Sequence, residues 1–205
     1  TNLILLVFLI LILFVTILST RGIETEKFNN LISQKINETN NNVNLKLTSI
    51  KFKLDIKEIS LFLETINPKI DYRGSIIPAK NIKVYVGFIS IIKTEPKIKK
   101  INLVLEQFDI QKLKKLSATF KPSNFTSFIN NKVIKGRLNL ELDVYLNDRN
   151  LFEDFIAKGS VTNLKTKIID NINLDKINFT FFLDKTDALI KNFSGESGPI
   201  KINNG

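Results

Sequence analysis

The chain contains no cysteine, histidine, tryptophan or methionine. The missing cysteine rules out disulfides and thiol nucleophiles but identifies no redox compartment. The missing histidine as well removes the common zinc and haem ligands and the usual nucleophile–base pairs. Glycine is also scarce, at 8 of 205 residues. Neither a Gly-rich phosphate loop nor a nucleophile elbow occurs. We therefore expect no catalytic residue, no metal and no cofactor, and a role other than that of an enzyme.

Charge is plentiful, and it leans one way. The net charge is +10, and most of the cations are Lys. Abundant Lys, Ile, Asn and Phe match an AT-rich genome, so a solvated outer face is the plain reading. A functional reading is attraction to anionic lipid headgroups, about 1 kcal/mol per well-placed cation. The cations are spread along the chain and no nucleic-acid module is visible, so nucleic acid is not an expected partner.

Residues 3–18, "LILLVFLILILFVTIL", carry no charge. As a helix they span about 24 Å, close to a hydrocarbon core. A signal peptide is the competing reading, but "ILSTRGIE" is a poor cleavage site. We read residues 1–19 as a single-pass membrane anchor. Its orientation is open, because positive-inside counting loses force for long domains.

Residues 20–40 read as an amphipathic helix. Phe28, Leu31, Ile32 and Ile36 form one stripe, and Glu24 and Glu26 fall in the expected first turn. This helix either plugs one end of a sheet or rests on the membrane.

After it, apolar residues alternate with polar ones, the mark of strands with one oily face. Val43, Leu45 and Leu47 slip phase into Ile50, Phe52, Leu54 and Ile56. A second slip precedes Ile59, Leu61 and Leu63. We expect a bulge near Thr48–Ser49 and a turn near Lys57–Glu58 to absorb them. A turn at "INPK", a strand through Ile70 and Tyr72, and strands at "IKVYVGF" and "INLVLEQFD" follow. "ISIIKTEPK" joins the last two. Asp71 and Arg73 flank Tyr72 and read as a surface pair.

Two short helices come next. "IQKLKKL" (110–116) repeats Ile110, Leu113 and Leu116. "SNFTSFINN" carries Phe125, Phe128 and Ile129, with Ser123 as N-cap. Strands then fill 133–146, 155–168, 172–184, 187–193 and 199–203. Short connections favour antiparallel meanders. We divide the β region into an α+β part, 41–116, and a β-repeat part, 117–205. The start at Thr1 and the strand-like end "PIKINNG" suggest a piece of a longer protein, with the β region continuing. Asn37, Asn124, Asn178 and Asn192 each open an N-x-S/T triplet, which chance accounts for in a chain this rich in Asn.

The expected fold is mainly β: an antiparallel sheet with an N-terminal transmembrane helix and a few short helices. Its oily faces must be buried. They can stack as a β-sandwich, close as a barrel, or curl into a gutter open to a ligand. Too few helices are available to cover the sheet. An uncovered face of this size exceeds the apolar patches usual on soluble monomers. Such a face suits an acyl chain, for which 16 carbons resist water by roughly 13 kcal/mol. Periodicity alone leaves groove and sandwich open.

The order of anchor, amphipathic helix, "VNLKLTSIKFKLDIKEISLFLE" meander and "IKGRLNLELDVYLND…FIAKGSVTNLKTKI" repeats resembles the AsmA-like superfamily, which includes TamB and YhdP. The element "G-x-L/V-x-N/D-L", at Gly136–Leu140 and Gly159–Leu164, is the closest match. The resemblance implies an anchor in a bacterial inner membrane, with the β region in the periplasm. It implies a β-groove that binds phospholipid acyl chains, for lipid transport or outer-membrane assembly and homeostasis, and an outer-membrane protein as a further partner. The lining it implies is Val43, Leu45, Leu47, Ile50, Phe52, Leu54, Ile82, Val84, Val86, Phe88, Leu103, Leu105, Leu138, Leu140, Leu142, Val144, Ile177, Phe179, Phe181 and Leu183. A structural or scaffolding β-domain without lipid transfer is the alternative.

Overall fold

A computed structural model describes residues 2–26, 29, 30, 33, 34, 37, 42–87, 97–119, 123–149, 151–169 and 172–203. Helix α1 is Asn2–Thr20. It ends where Arg21 and Gly22 both donate their N–H to the Ile17 carbonyl, with Gly22 at φ +73°. A left-handed glycine of this kind closes helix C-termini. Strand β1 (Ile23–Thr25) follows. This corrects the expected helix start: Glu24 lies on a strand and pairs with Lys51 at 3.5 Å. The stripe Phe28, Leu31, Ile32 and Ile36 lies outside the described residues.

The remaining strands are β2 (Val43–Lys46), β3 (Ile50–Asp55), β4 (Ser60–Ile66), β5 (Lys69–Tyr72), β6 (Ser75–Ile77), β7 (Ala79–Gly87), β8 (Ile98–Leu105) and β9 (Phe108–Asp109). Helices α2 (Ile110–Ser117) and α3 (Asn124–Asn131) come next. Then follow β10 (Val133–Leu146), β11 (Phe152–Ile169), β12 (Ile172–Asp184), β13 (Ala188–Ser197) and β14 (Ile200–Ile202).

Eleven strands form one antiparallel sheet in the order β1-β3-β4-β7-β8-β10-β11-β12-β13-β14, with β9 paired to β10. The sheet is open, with β1 and β14 at its ends. Pairing of β8 with β10 carries it across the two helices, so the α+β and β-repeat parts share one sheet. A second sheet, β2-β5-β6, is separate. This overturns the expected bulge at Thr48–Ser49. The phase slip there marks a change of sheet, because β2 pairs with β5 and β3 with β4. The second slip is the expected turn. Asp55 Oδ1 accepts from the N–H groups of Lys57 and Glu58 at 3.0 and 3.2 Å.

The long strands are creased. Asn163, Lys176 and Asn192 have φ of 50°, 51° and 54° on three adjacent strands, at register shifts between β11, β12 and β13. Asn tolerates this left-handed backbone better than most residues, and the Asn side chains brace it. Asn178 Oδ1 accepts from the Asn163 N–H at 3.0 Å, and Asn178 Nδ2 donates to the Lys176 carbonyl at 2.8 Å. Aligned bulges bend a sheet along a line.

The core sits by this crease. Ala79, Leu105, Phe108, Ile110, Ile129, Val133, Leu138, Val161, Leu164 and Ile177 form one buried cluster, with Ile70, Ile77 and Leu113 packed on it. Thus α2, α3 and the small sheet cover one stretch of the large sheet. The expected Ser123 cap is present. Its Oγ accepts from the Thr126 N–H at 3.1 Å, and Thr126 Oγ1 accepts from the Ser123 N–H at 2.8 Å.

Candidate functional site

Register partners in an antiparallel pair share a face, so the pairing traces one surface across the sheet. Phe52 opposes Leu63, Leu63 opposes Val84, and Val84 opposes Ile101. Ile101 opposes Val144, and Val144 opposes Phe155. One row further along, Leu103, Leu142, Ala157, Leu183 and Ala188 are partnered in turn. The face is apolar from β3 to β13. Thr65 interrupts it: its hydroxyl is buried and finds no partner.

Among the expected lining residues, Ile50, Phe52, Leu54, Ile82, Val84, Val86, Leu103, Leu105, Leu138, Leu140, Leu142, Val144, Ile177, Phe179, Phe181 and Leu183 all fall on this face. Val43 and Leu45 do not: they belong to β2 of the small sheet. Leu47 follows β2 in the connection to β3. The small sheet's separate pairing removes these three from the row. Phe88 lies outside the described residues, as does the connection 88–96. Reading by alternation missed Ile101, Phe155, Ile190 and Phe193, although the first two stand at alternate positions of strands it had identified.

Burial along the face is uneven. Leu105, Leu138, Val161 and Ile177 are buried beneath the helices. Leu54, Leu61, Leu63, Ile82, Val84, Ile101, Leu103, Leu142, Val144 and Phe155 are only half-buried. Phe179 lies near Phe181 and stacks on Phe193, at 6.4 and 6.5 Å between centroids. Gly159 makes room for this packing. A Cβ there would lie 2.1 Å from the Asn139 carbonyl oxygen and 2.8 Å from Phe181 Cζ.

The opposite face is polar and laced with contacts. Lys53 and Lys83 approach Glu64 at 2.7 and 3.9 Å. Asn102 Nδ2 donates to Glu141 Oε1 and Asp143 Oδ1 at 2.9 and 2.7 Å. The Lys100 ammonium stands 4.3 Å over the Tyr85 ring and 3.0 Å from Glu58. Burial pushes the Tyr85 hydroxyl above its ordinary pKa, against the nearby Lys100 charge. Burial alone would lower Lys100, but Glu58, by hydrogen bond and charge, outweighs it and the ammonium is held up. Glu64, Tyr85 and Asn102 are buried, so these contacts satisfy polar groups that burial would otherwise leave unpaired.

A cleft of about 570 Å³ opens on this side where the sheet is interrupted between Leu105 and Phe108. Lys80, Glu106, Asn139, Glu141 and Lys158 line it, and Lys158 and Glu141 already pair at 3.3 Å. Among the described residues, no group of three or more His, Cys, Asp or Glu side chains could hold a metal.

The Asp71–Arg73 pair also needs correction. Arg73 sits in a turn at φ +52°. Its Nε donates to Asn42 Oδ1 at 3.2 Å and its guanidinium to the Thr119 carbonyl at 2.9 Å. Asp71 Oδ1 instead accepts from the Gly74 N–H at 2.7 Å. The turn aims the guanidinium away from Asp71.

Helix α1 is long and apolar enough to cross a membrane, and none of its described side chains is buried. Its length and composition suit a membrane anchor or a signal sequence. No protein-family model, curated protein or solved structure matches the chain.

Proposed function

We propose that the chain is a membrane-anchored envelope protein that holds phospholipid acyl chains against the apolar face of its curled sheet. The observation that carries this reading is the half-buried stretch of that face. It runs from β3 to β11, interrupted at Thr65, and extends past the stretch that α2, α3 and the small sheet cover. An acyl chain removes about 0.8 kcal/mol of unfavourable hydration per CH₂ when such a face covers it. The polar side satisfies its own groups, with Lys53 and Lys83 on Glu64 and Asn102 on Glu141 and Asp143. In this reading α1 crosses a bacterial inner membrane and the sheet stands in the periplasm. The role is phospholipid transport or outer-membrane assembly, as the AsmA-like resemblance implies, with an outer-membrane protein as a further partner.

The test is photo-cross-linking of the full chain in its membrane. A photoreactive residue at Leu142, on the apolar face, should yield phospholipid adducts by mass spectrometry. One at Asn139, on the polar face, should not. Equal yields, or none at Leu142, overturn the proposal. A purely structural module is the second reading, and the buried cluster beneath α2 and α3 favours it. On that reading Leu142 cross-links only to protein.

A further inference from the structure

We infer that the β3–β4 turn, Ile56–Ile59, is a second membrane contact, seated in the same bilayer that α1 crosses. The inference rests on reading α1 as an anchor. Its ground is direction. Thr25 opposes Ile50 and Ile23 opposes Phe52, and a Cβ on Gly22 would lie 2.6 Å from Lys53 Cγ. Going back from β1 towards α1 therefore means moving along β3 towards Asp55, and α1 touches β3. The turn begins just beyond Asp55. It lies one strand over from the chain's entry to the sheet and four residues beyond Phe52, about 13 Å along β3.

The turn has the wrong residues for water. Turns exposed to solvent favour Gly, Asn, Asp and Ser. Here Ile56 is 61% exposed and Ile59 is 74% exposed. Ile59 also sits at φ +45°, a left-handed backbone in which a β-branched residue is an outlier. Strain kept at an exposed position points to a function. Ile23, between anchor and sheet, is likewise exposed.

The polar groups suit the same partner. Glu58, the carboxylate of the turn, is neutralised by Lys100 at 3.0 Å. Lys57 stands exposed between the two isoleucines, at the level where a cation meets lipid phosphate. A turn of this kind buries its apolar tips just beneath the headgroups. Register places the β10–β11 connection on the same rim of the sheet, where Leu151 of the connection and Phe152 at the start of β11 are exposed.

The absence of tryptophan makes a clean test. Single variants Ile56→Trp, Phe14→Trp and Ile169→Trp are made in the full chain and reconstituted into vesicles of phosphatidylcholine and phosphatidylglycerol. Lipids brominated high or low on the acyl chain serve as quenchers. Phe14→Trp should be quenched by deep bromines. Ile56→Trp should be blue-shifted and quenched by shallow ones, several-fold more than Ile169→Trp at the opposite rim. Adding Ile59→Asn, which suits the left-handed backbone, should leave unfolding midpoints unchanged or higher while reducing the quenching at position 56. Quenching at 14 but not at 56 overturns the inference and leaves the anchor standing. Quenching at neither overturns both. Equal quenching at 56 and 169 also overturns it, because the sheet then lies flat on the bilayer.

Discussion

Leu138 and Leu142 stand on the same face of β10, four residues apart, in different surroundings. Leu138 is buried in the cluster beneath α2 and α3, whereas Leu142 is half-buried, with register partners Leu103 and Ala157, and is not part of that cluster. One alternating sequence supplies both. Period-two patterning fixes which side of a strand is apolar. It says nothing of what covers that side. Among the described residues the cover is local, made by two eight-residue helices and a three-stranded sheet, and the face extends past it.

The comparison breaks most readily at the covered end. Phe108 is 4% exposed and belongs to the buried cluster. Phe108→Ala should cost about 3–5 kcal/mol, the range for emptying an aromatic site in a core. Denaturant unfolding of the full chain measures it. A loss of under about 1 kcal/mol would mean that the cluster is loosely packed and the two stretches are alike.

A smaller effect sharpens the same contrast by weakening the cover itself. Ser123 and Thr126 exchange hydrogen bonds at the start of α3, and α3 brings Ile129 to the cluster. Ser123→Ala should cost about 1 kcal/mol. Hydrogen exchange should speed up at the first-turn amides of α3 and leave β3 and β4 unchanged. If β3 and β4 loosen as well, the covered and open stretches unfold as one unit.

Much of this was legible in the sequence. The readings 133–146 and 172–184 coincide with β10 and β12, because long alternation leaves one register. The Ser123 cap and both helices were legible from capping chemistry and three-residue spacing. The separate sheet was not. Val43 and Leu45 alternate just as Ile50 and Phe52 do, and only long-range pairing with β5 tells them apart. The crease was hidden too. Asn163 and Asn192 look like ordinary polar strand positions until their neighbours' register forces a bulge. The membrane-side turn could have been noticed, since Ile56 and Ile59 bracket a turn that polar residues would ordinarily fill.

The smallest effect on stability is expected at Leu142, and that smallness decides between the two functional readings. Leu142→Gln places an amide where the face is half-open, so water can still reach it. Leu138→Gln places the same amide inside the cluster, where an unpaired polar group costs about 1–3 kcal/mol beyond the lost packing. We expect Leu142→Gln to shift unfolding by under about 1 kcal/mol and Leu138→Gln to shift it several-fold more. Phospholipid cross-linking from a photoreactive residue at Val144, its neighbour on the face, should fall in the Leu142→Gln background. Equal destabilisation at the two sites would mean that the open stretch is covered in solution. The apolar face would then be a core throughout, and the structural reading would replace the lipid-binding one.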